Sequence, residues 1–201
     1  MQETGGFVRD GVWTSLPYRE AASAPAQALI LVDVQNAFLA GPDAVPDAAR
    51  LVDRLAALLE RARAAGALVV HLRNDGEAGA PDEPGTPGWH LRFPPAPGEH
   101  LVAKADDDGF EGTGLAELLV ERHGVSRVVI AGVLSEMCVS ATARGALAAG
   151  LGVILPHDAH GTYGLDDIPA SVVARVAEHA LGDEPELVGA GEGVRFVRAA
   201  R

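Results

Sequence analysis

Residues 127–150 read RVVIAGVLSEMCVSATARGALAAG. The first seven, RVVIAGV, form an apolar run rich in β-branched residues, the pattern of a strand covered on both faces. From Glu136 to Ala149 small and apolar residues dominate at helical spacing, and Gly150 stands where a helix stop belongs. A buried strand that feeds directly into a helix is half of a βαβ unit. The polar residues at the junction, Ser135, Glu136 and Cys138, then lie just beyond a strand's carboxyl end.

The same alternation extends in both directions. Residues 28–34, ALILVDV, predict a first buried strand ending in an acid. Residues 45–65 predict a helix, with Leu51, Leu55, Leu58, Leu59 and Ala62 on one face and Gly66 after it. ALVVHL at 67–72 predicts the next strand, and residues 113–123 a short helix with Leu115, Leu118 and Leu119 on one face. GVILP at 152–156 is a further strand, a helix follows at 168–181, and GVRFV at 193–197 is expected to be the last strand. Strand and helix in alternation imply an α/β fold: one doubly wound, mostly parallel sheet with helices on both faces, a Rossmann-like three-layer sandwich. In such sheets, sites form outside the carboxyl ends of the strands. Asp33, the 135–138 junction, and His157 with Asp158 occupy those positions.

Two segments break the alternation. Residues 1–26 are polar and aperiodic and are expected to form an N-terminal arm, leaving 27–201 as the single domain. Residues 73–103 are rich in Gly and Pro; a stretch of that length without periodicity is either a surface insertion or the wall of a site.

Composition narrows the function classes. With 28 acidic residues against 16 Lys and Arg, the net charge is −12. A nucleic-acid-binding surface would need basic residues, and an anionic membrane surface would repel this chain. The single cysteine rules out an internal disulfide, so nothing calls for an oxidising compartment. The opening MQETGGFVRDGVWTSLPYREA lacks the basic start and apolar run of a signal peptide, and the expected location is cytoplasmic.

Three side chains stand out for chemistry. A lone cysteine is most often a small buried hydrophobe. Cys138, however, is expected at the first turn of a helix, where free N–H groups and the dipole favour a thiolate and an oxyanion. Asp33 either caps a turn or faces the same crevice, where partial burial would raise its pKa and suit it to accept a thiol proton. Lys104, the single lysine, is either a solvated loop charge or a cation paired with Asp33.

The runs LILVDVQNAF (29–38), LVAKADDDGFEGTGL (101–115) and RVVIAGVLSEMCVSATARGALAAG, in that order, resemble the isochorismatase-like cysteine hydrolase superfamily, over about residues 28–160. The resemblance implies an Asp–Lys–Cys triad of Asp33, Lys104 and Cys138. It implies an oxyanion hole from the backbone N–H groups of Leu134 and Cys138, and a cis peptide between Val133 and Leu134. The implied reaction is hydrolysis of a non-peptide C–N bond through a thioester, with no cofactor. Relatives are commonly dimers or tetramers, so a homodimer or homotetramer is implied. Ser135 departs from the family's usual Thr but keeps the hydroxyl.

The match also excludes. True isochorismatases lack the nucleophilic cysteine, so Cys138 favours amide chemistry. Many nicotinamidases hold a metal through an Asp-x-His motif after the first strand; here LAGPDAVPDAAR (39–50) contains no histidine, so no metal is expected there. No Gly-x-Gly-x-x-Gly follows the first strand, against a dinucleotide site. Phe38, Trp89, Phe93 and Phe110 are either pocket walls or core residues. His157 and His160 are expected to bond to backbone rather than to act in catalysis. The run GTPGWHLRFPPAPGE (85–99) resembles high-GC bacterial members of the superfamily, among which is a branch opening the cyclic amide of a basic, streptothricin-type antibiotic. An acidic chain suits such a cation. Small linear amides of the N-carbamoyl, maleamate or ureidoacrylate type stand beside it as substrates, as does a silent ligand-binding role.

Overall fold

The structure, a computed structural model, describes residues 6–15 and 17–199. Six strands run in the order β5 (His100–Lys104), β4 (Leu68–Asn74), β3 (Ala28–Val32), β6 (Arg127–Val133), β7 (Gly152–Pro156) and β9 (Glu186–Val188). The two-residue β8 (His160–Gly161) adds to the end of β6, and every pairing in this sheet is parallel. The fold is α/β. Strand β3 sits at the centre with all five residues fully buried, which is why it reads as a continuous apolar run rather than an alternating one.

Its side chains part to the two faces. Leu29 and Leu31 join a core with Leu51, Leu55, Leu58, Leu59 and Ala62 of helix α2 (Ala48–Ala65). Ala28, Ile30 and Val32 join the opposite core with Leu115, Leu119 and helix α3 (Ser140–Ala148), which contributes Ala143 and Ala146. Each fully buried Leu or Ile contributes roughly 1.5–3 kcal/mol of transfer free energy. The periodicity that predicted the α2 face is therefore the main adhesive on that side. The remaining helices are the single turn α1 (Asn36–Leu39) and α4 (Ala170–Ala180).

Several expected elements shift. The end of the 73–103 loop forms edge strand β5, whose alternating exposure at His100–Ala103 is too short to read as a strand beside so many Gly and Pro. The predicted 113–123 helix is present over residues 115–122, where Glu117–Arg122 winds as a π-helix. GVRFV is not a strand: a short 3-10 turn, Gly191–Gly193, ends at its first residue and only Phe196 makes an isolated bridge, to Ala26. The last strand is instead Glu186–Val188, three residues that carry no periodicity of their own. The segment expected as an extended arm holds a hairpin, β1 (Gly6–Arg9) with β2 (Val12–Ser15), turned at Asp10 and Gly11. Both turn residues have positive φ, 52° and 77°, the Asp-Gly turn that matches strand twist.

One glycine fixes how β6 meets β3. Gly132 has φ +135° and pairs with Val32, and a Cβ at Gly132 would collide with the Val32 carbonyl oxygen. Asp33 follows immediately, so this close approach sets the position of its carboxylate. Gly132→Ala is expected to destabilise the fold by about 3 kcal/mol or more, through strain and displacement of β3. Urea unfolding measures this; an unchanged midpoint would show that the close approach is not required.

Candidate active site

Asp33 directly follows β3 with φ 49°, a left-handed conformation that Asp tolerates better than most residues. Its N–H still bonds to the Leu72 carbonyl at 3.1 Å, so the chain leaves the sheet only after this residue. Lys104 ends β5, opposite Asn74 on β4. The two strand ends bring Lys104 Nζ to 2.8 Å from Asp33 Oδ2, with side chains only 0% and 3% exposed. The same ammonium lies 3.3 Å from Cys138 Sγ and donates to the Asp106 carbonyl at 3.1 Å. Asp33, Lys104 and Cys138, far apart in sequence, thus converge on one point at the carboxyl ends of the strands.

Cys138 does not lie in a regular helix. Ser135–Val139 forms a π-helical turn, broken at Met137, and the α-helix proper begins at Ser140. The Leu134 carbonyl accepts from the N–H groups of Met137 and Val139. The Val133–Leu134 peptide is cis.

The electrostatics differ from the expectation of a dipole-stabilised thiolate. Burial pushes the Cys138 thiol well above its usual pKa, the Asp33 charge adds to this, and Lys104 only partly offsets them. Burial also raises Asp33, again partly offset by Lys104. Burial works against the Lys104 ammonium, but Asp33 and Cys138 outweigh it and hold its pKa above the ordinary lysine value. A thiol, a buried carboxylate and a buried ammonium thus stand together at this point.

The long loop packs against the segment just after Asp33. Asn36 and Ala37 donate to the carbonyls of His90 and Gly88, and Arg92 donates to that of Val34. Gln35, fully buried, donates to the carbonyls of Asn74 and Trp89 and accepts from the Asn74 N–H. Phe38 and Phe93 pack with Leu134 and Tyr163 against one core, and Phe110 packs with Cys138 against the other. Trp89 is engaged differently: its ring lies 3.6 Å from the Arg73 guanidinium and its N–H donates to Asp75 at 2.7 Å. A cavity of about 640 Å³, lined in part by Arg50, His157, His160, Thr162 and Ser171, lies elsewhere; Asp33, Lys104 and Cys138 do not line it.

Residues 27–180 match the family described as Isochorismatase domain. The chain belongs to the isochorismatase family. Two proteins of Streptomyces noursei, each a streptothricin hydrolase, are 56% identical over 85% of this chain and 51% identical over 98% of it. The chain spans 65% of the length of the first and 82% of the second. Among solved structures, an isochorismatase from Pseudomonas putida KT2440 superposes with a TM-score of 0.78 at 28% identity, over 86% of this chain and 94% of that one.

This isochorismatase-family chain also holds a buried polar knot behind the cysteine turn. Glu178 of α4 accepts from His157 Nδ1 at 2.7 Å, His160 Nε2 at 3.1 Å and the Tyr18 hydroxyl at 2.6 Å. With its Nε2 proton facing Glu178, His160 accepts from the Ser135 hydroxyl at 2.8 Å through Nδ1. Ser140 bonds back to the Ser135 carbonyl at 2.6 Å. His160 thus bonds to side chains, not to backbone as expected from sequence. His157, His160 and Glu178 have the composition of a metal site, but their facing atoms are occupied by one another, by Tyr18 and by Arg175 at 3.2 Å. Sequence reading missed Glu178, because a Glu late in an amphipathic helix ordinarily faces solvent; here it is 1% exposed.

Burial opposes the Glu178 charge, but hydrogen bonds from His157, His160 and Tyr18 win and hold its pKa far below the usual 4.5. A depressed acid contributes stability that is complete above its unfolded pKa and lost as pH falls towards the folded one. Stability should therefore decline as pH drops below 4.5. Glu178→Gln is expected to cost about 3 kcal/mol at neutral pH, because it strips a buried network of its acceptor. The variant should also show a shallower acid decline. Urea titrations from neutral to acid pH measure both, and parallel pH curves for the two proteins would refute the assignment.

Proposed function

We propose that this isochorismatase-family hydrolase opens an amide, specifically the cyclic amide of a basic, streptothricin-type molecule, through a thioester on Cys138. The observation that carries the reaction is the convergence of a thiol, a buried carboxylate of raised pKa and a buried ammonium at one point. The substrate class rests on the similarity to the two streptothricin hydrolases, supported by the net charge of −12.

The steps balance as follows. Asp33 takes the proton of the Cys138 thiol, and the thiolate forms a bond to the amide carbon. Charge moves to the carbonyl oxygen, where backbone N–H groups of the Leu134–Cys138 turn receive it, while Lys104 steadies the charges around the sulfur. The C–N bond breaks as the nitrogen takes the proton from Asp33. Asp33, again a carboxylate, takes a proton from water, whose hydroxide attacks the thioester. Collapse expels the Cys138 thiolate, which recovers its proton from Asp33. In a cyclic amide the leaving amine stays tethered at high effective concentration. Protonation by Asp33 lets the nitrogen depart as a neutral amine; a second proton, taken from solvent, then converts it to an ammonium that cannot close the ring again.

The test is turnover of streptothricin lactam beside nicotinamide, maleamate, ureidoacrylate and an N-carbamoyl amino acid. The expected lactam product has gained one water and one free amine, with nothing released. Cys138→Ala and Asp33→Asn should each lower turnover about a thousandfold or more. Because the Asp33 pKa is raised, kcat/KM should fall on the acid side at a pH above the ordinary carboxylate value of 3.8. Full turnover by Cys138→Ala would overturn the thioester route. Preferential turnover of a linear amide would keep the route and overturn the lactam.

A further inference from the structure

Asp107 lies where a cysteine hydrolase would seem to have no use for it. Its Oδ1 accepts from the Cys138 thiol at 3.3 Å, as close to Sγ as Lys104 Nζ is. The Lys104 charge is already matched by Asp33 at 2.8 Å. Asp107 therefore leaves one negative charge unbalanced beside a sulfur that must itself become negative. By Coulomb's law this placement opposes the thiolate in the unliganded site.

The placement is built rather than casual. Of the three consecutive acids, Asp106 has its carbonyl held by Lys104 Nζ at 3.1 Å. Asp108 accepts from the Phe110 N–H at 2.9 Å and packs against Gly145, where a Cβ would collide with its carboxylate. Between them, the Asp107 carbonyl accepts from Thr142 Oγ1 at 3.5 Å, and that hydroxyl in turn accepts from the Gly109 N–H at 3.1 Å. The backbone is pinned on both sides, and the exposed Asp107 side chain faces the nucleophile from the solvent side.

We propose that Asp107 is a specificity residue that receives a cationic group, an ammonium or guanidinium, carried by the substrate close to its scissile C–N bond. This deepens the amide-hydrolase reading and rests on it for the identity of the reaction. A bound cation cancels the Asp107 charge, so the penalty on thiol ionisation is lifted only when the right substrate is present. A neutral amide leaves the penalty in place. The long-range field of a chain with net charge −12 draws the same cations towards the site.

The test needs no substrate, because the chain has a single cysteine. Alkylation of the wild-type protein by 2-bromoethylammonium, iodoacetamide and iodoacetate is followed by intact mass, each rate divided by that for glutathione. The normalised preference for the cationic over the neutral reagent should fall about tenfold in Asp107→Asn. It should be restored in Asp107→Glu and persist in Glu121→Gln, which makes the same charge change on the Glu117–Arg122 segment. Streptothricin turnover by Asp107→Asn should show a raised KM with a smaller change in kcat. An unchanged cation preference in Asp107→Asn would overturn the proposal. So would an equal change for all three reagents, which would mean that Asp107 acts on the sulfur and not on a cation. Because alkylation does not depend on hydrolysis, failure of the lactam assay with the predicted alkylation pattern would count against the reaction and not against Asp107.

Discussion

A lysine and an aspartate held 2.8 Å apart, both almost wholly out of water, constrain everything around them. Neither charge is tolerable there alone: removing one partner of a buried pair typically costs about 3–5 kcal/mol, because the other is left uncompensated. The pair spans the end of β4, from β3 to the edge strand β5. The register of three parallel strands must therefore be kept for the two groups to meet. Gly132 serves the same end, since its missing side chain lets β6 close against Val32 just before Asp33. The sulfur of Cys138 is then delivered to a place where a buried carboxylate and a cation already stand.

The surroundings of that sulfur are not arranged for a free thiolate. Burial and Asp33 keep the thiol protonated, and Asp107 faces it as well. In the proposed reaction, such surroundings favour a proton transfer coupled to attack over a thiolate formed beforehand. Behind the turn, Glu178 and His160 tie the Ser135 hydroxyl to helix α4. The Ser135–Val139 turn is irregular and lacks a full set of helical hydrogen bonds to stiffen it, so side-chain anchoring from behind substitutes for regularity.

Much of this was legible in the sequence where the signal was long or repeated. The strands at 127–133 and 152–156 and the buried face of α2 follow directly from apolar runs and helical spacing. Asp33 and Cys138 are legible from their positions after strands, Lys104 from its rarity, and all three from the resemblance; the fold brings them together. What escaped was short or depended on distant neighbours. Strand Glu186–Val188 is too brief to carry a period, and it displaced the more regular-looking GVRFV. The Asp10-Gly11 turn was a readable hairpin signal passed over within a polar stretch. Glu178 and Asp107 look like ordinary surface acids, because only tertiary packing sets one in a buried knot and the other against the nucleophile. The expectation of a lowered thiol pKa failed for a related reason: a helix start suggested stabilisation, but burial and a nearby carboxylate outweigh a short, broken turn.

Acylation of Cys138 is best sought by acid quenching during turnover of the lactam, followed by intact mass of the protein. Because the leaving amine of a cyclic amide remains attached, the expected adduct equals the whole substrate, is located on Cys138 by peptide mapping and is absent from Cys138→Ala. Turnover with no adduct at any quench time, persisting in Cys138→Ala, would contradict it and would point to direct attack by water.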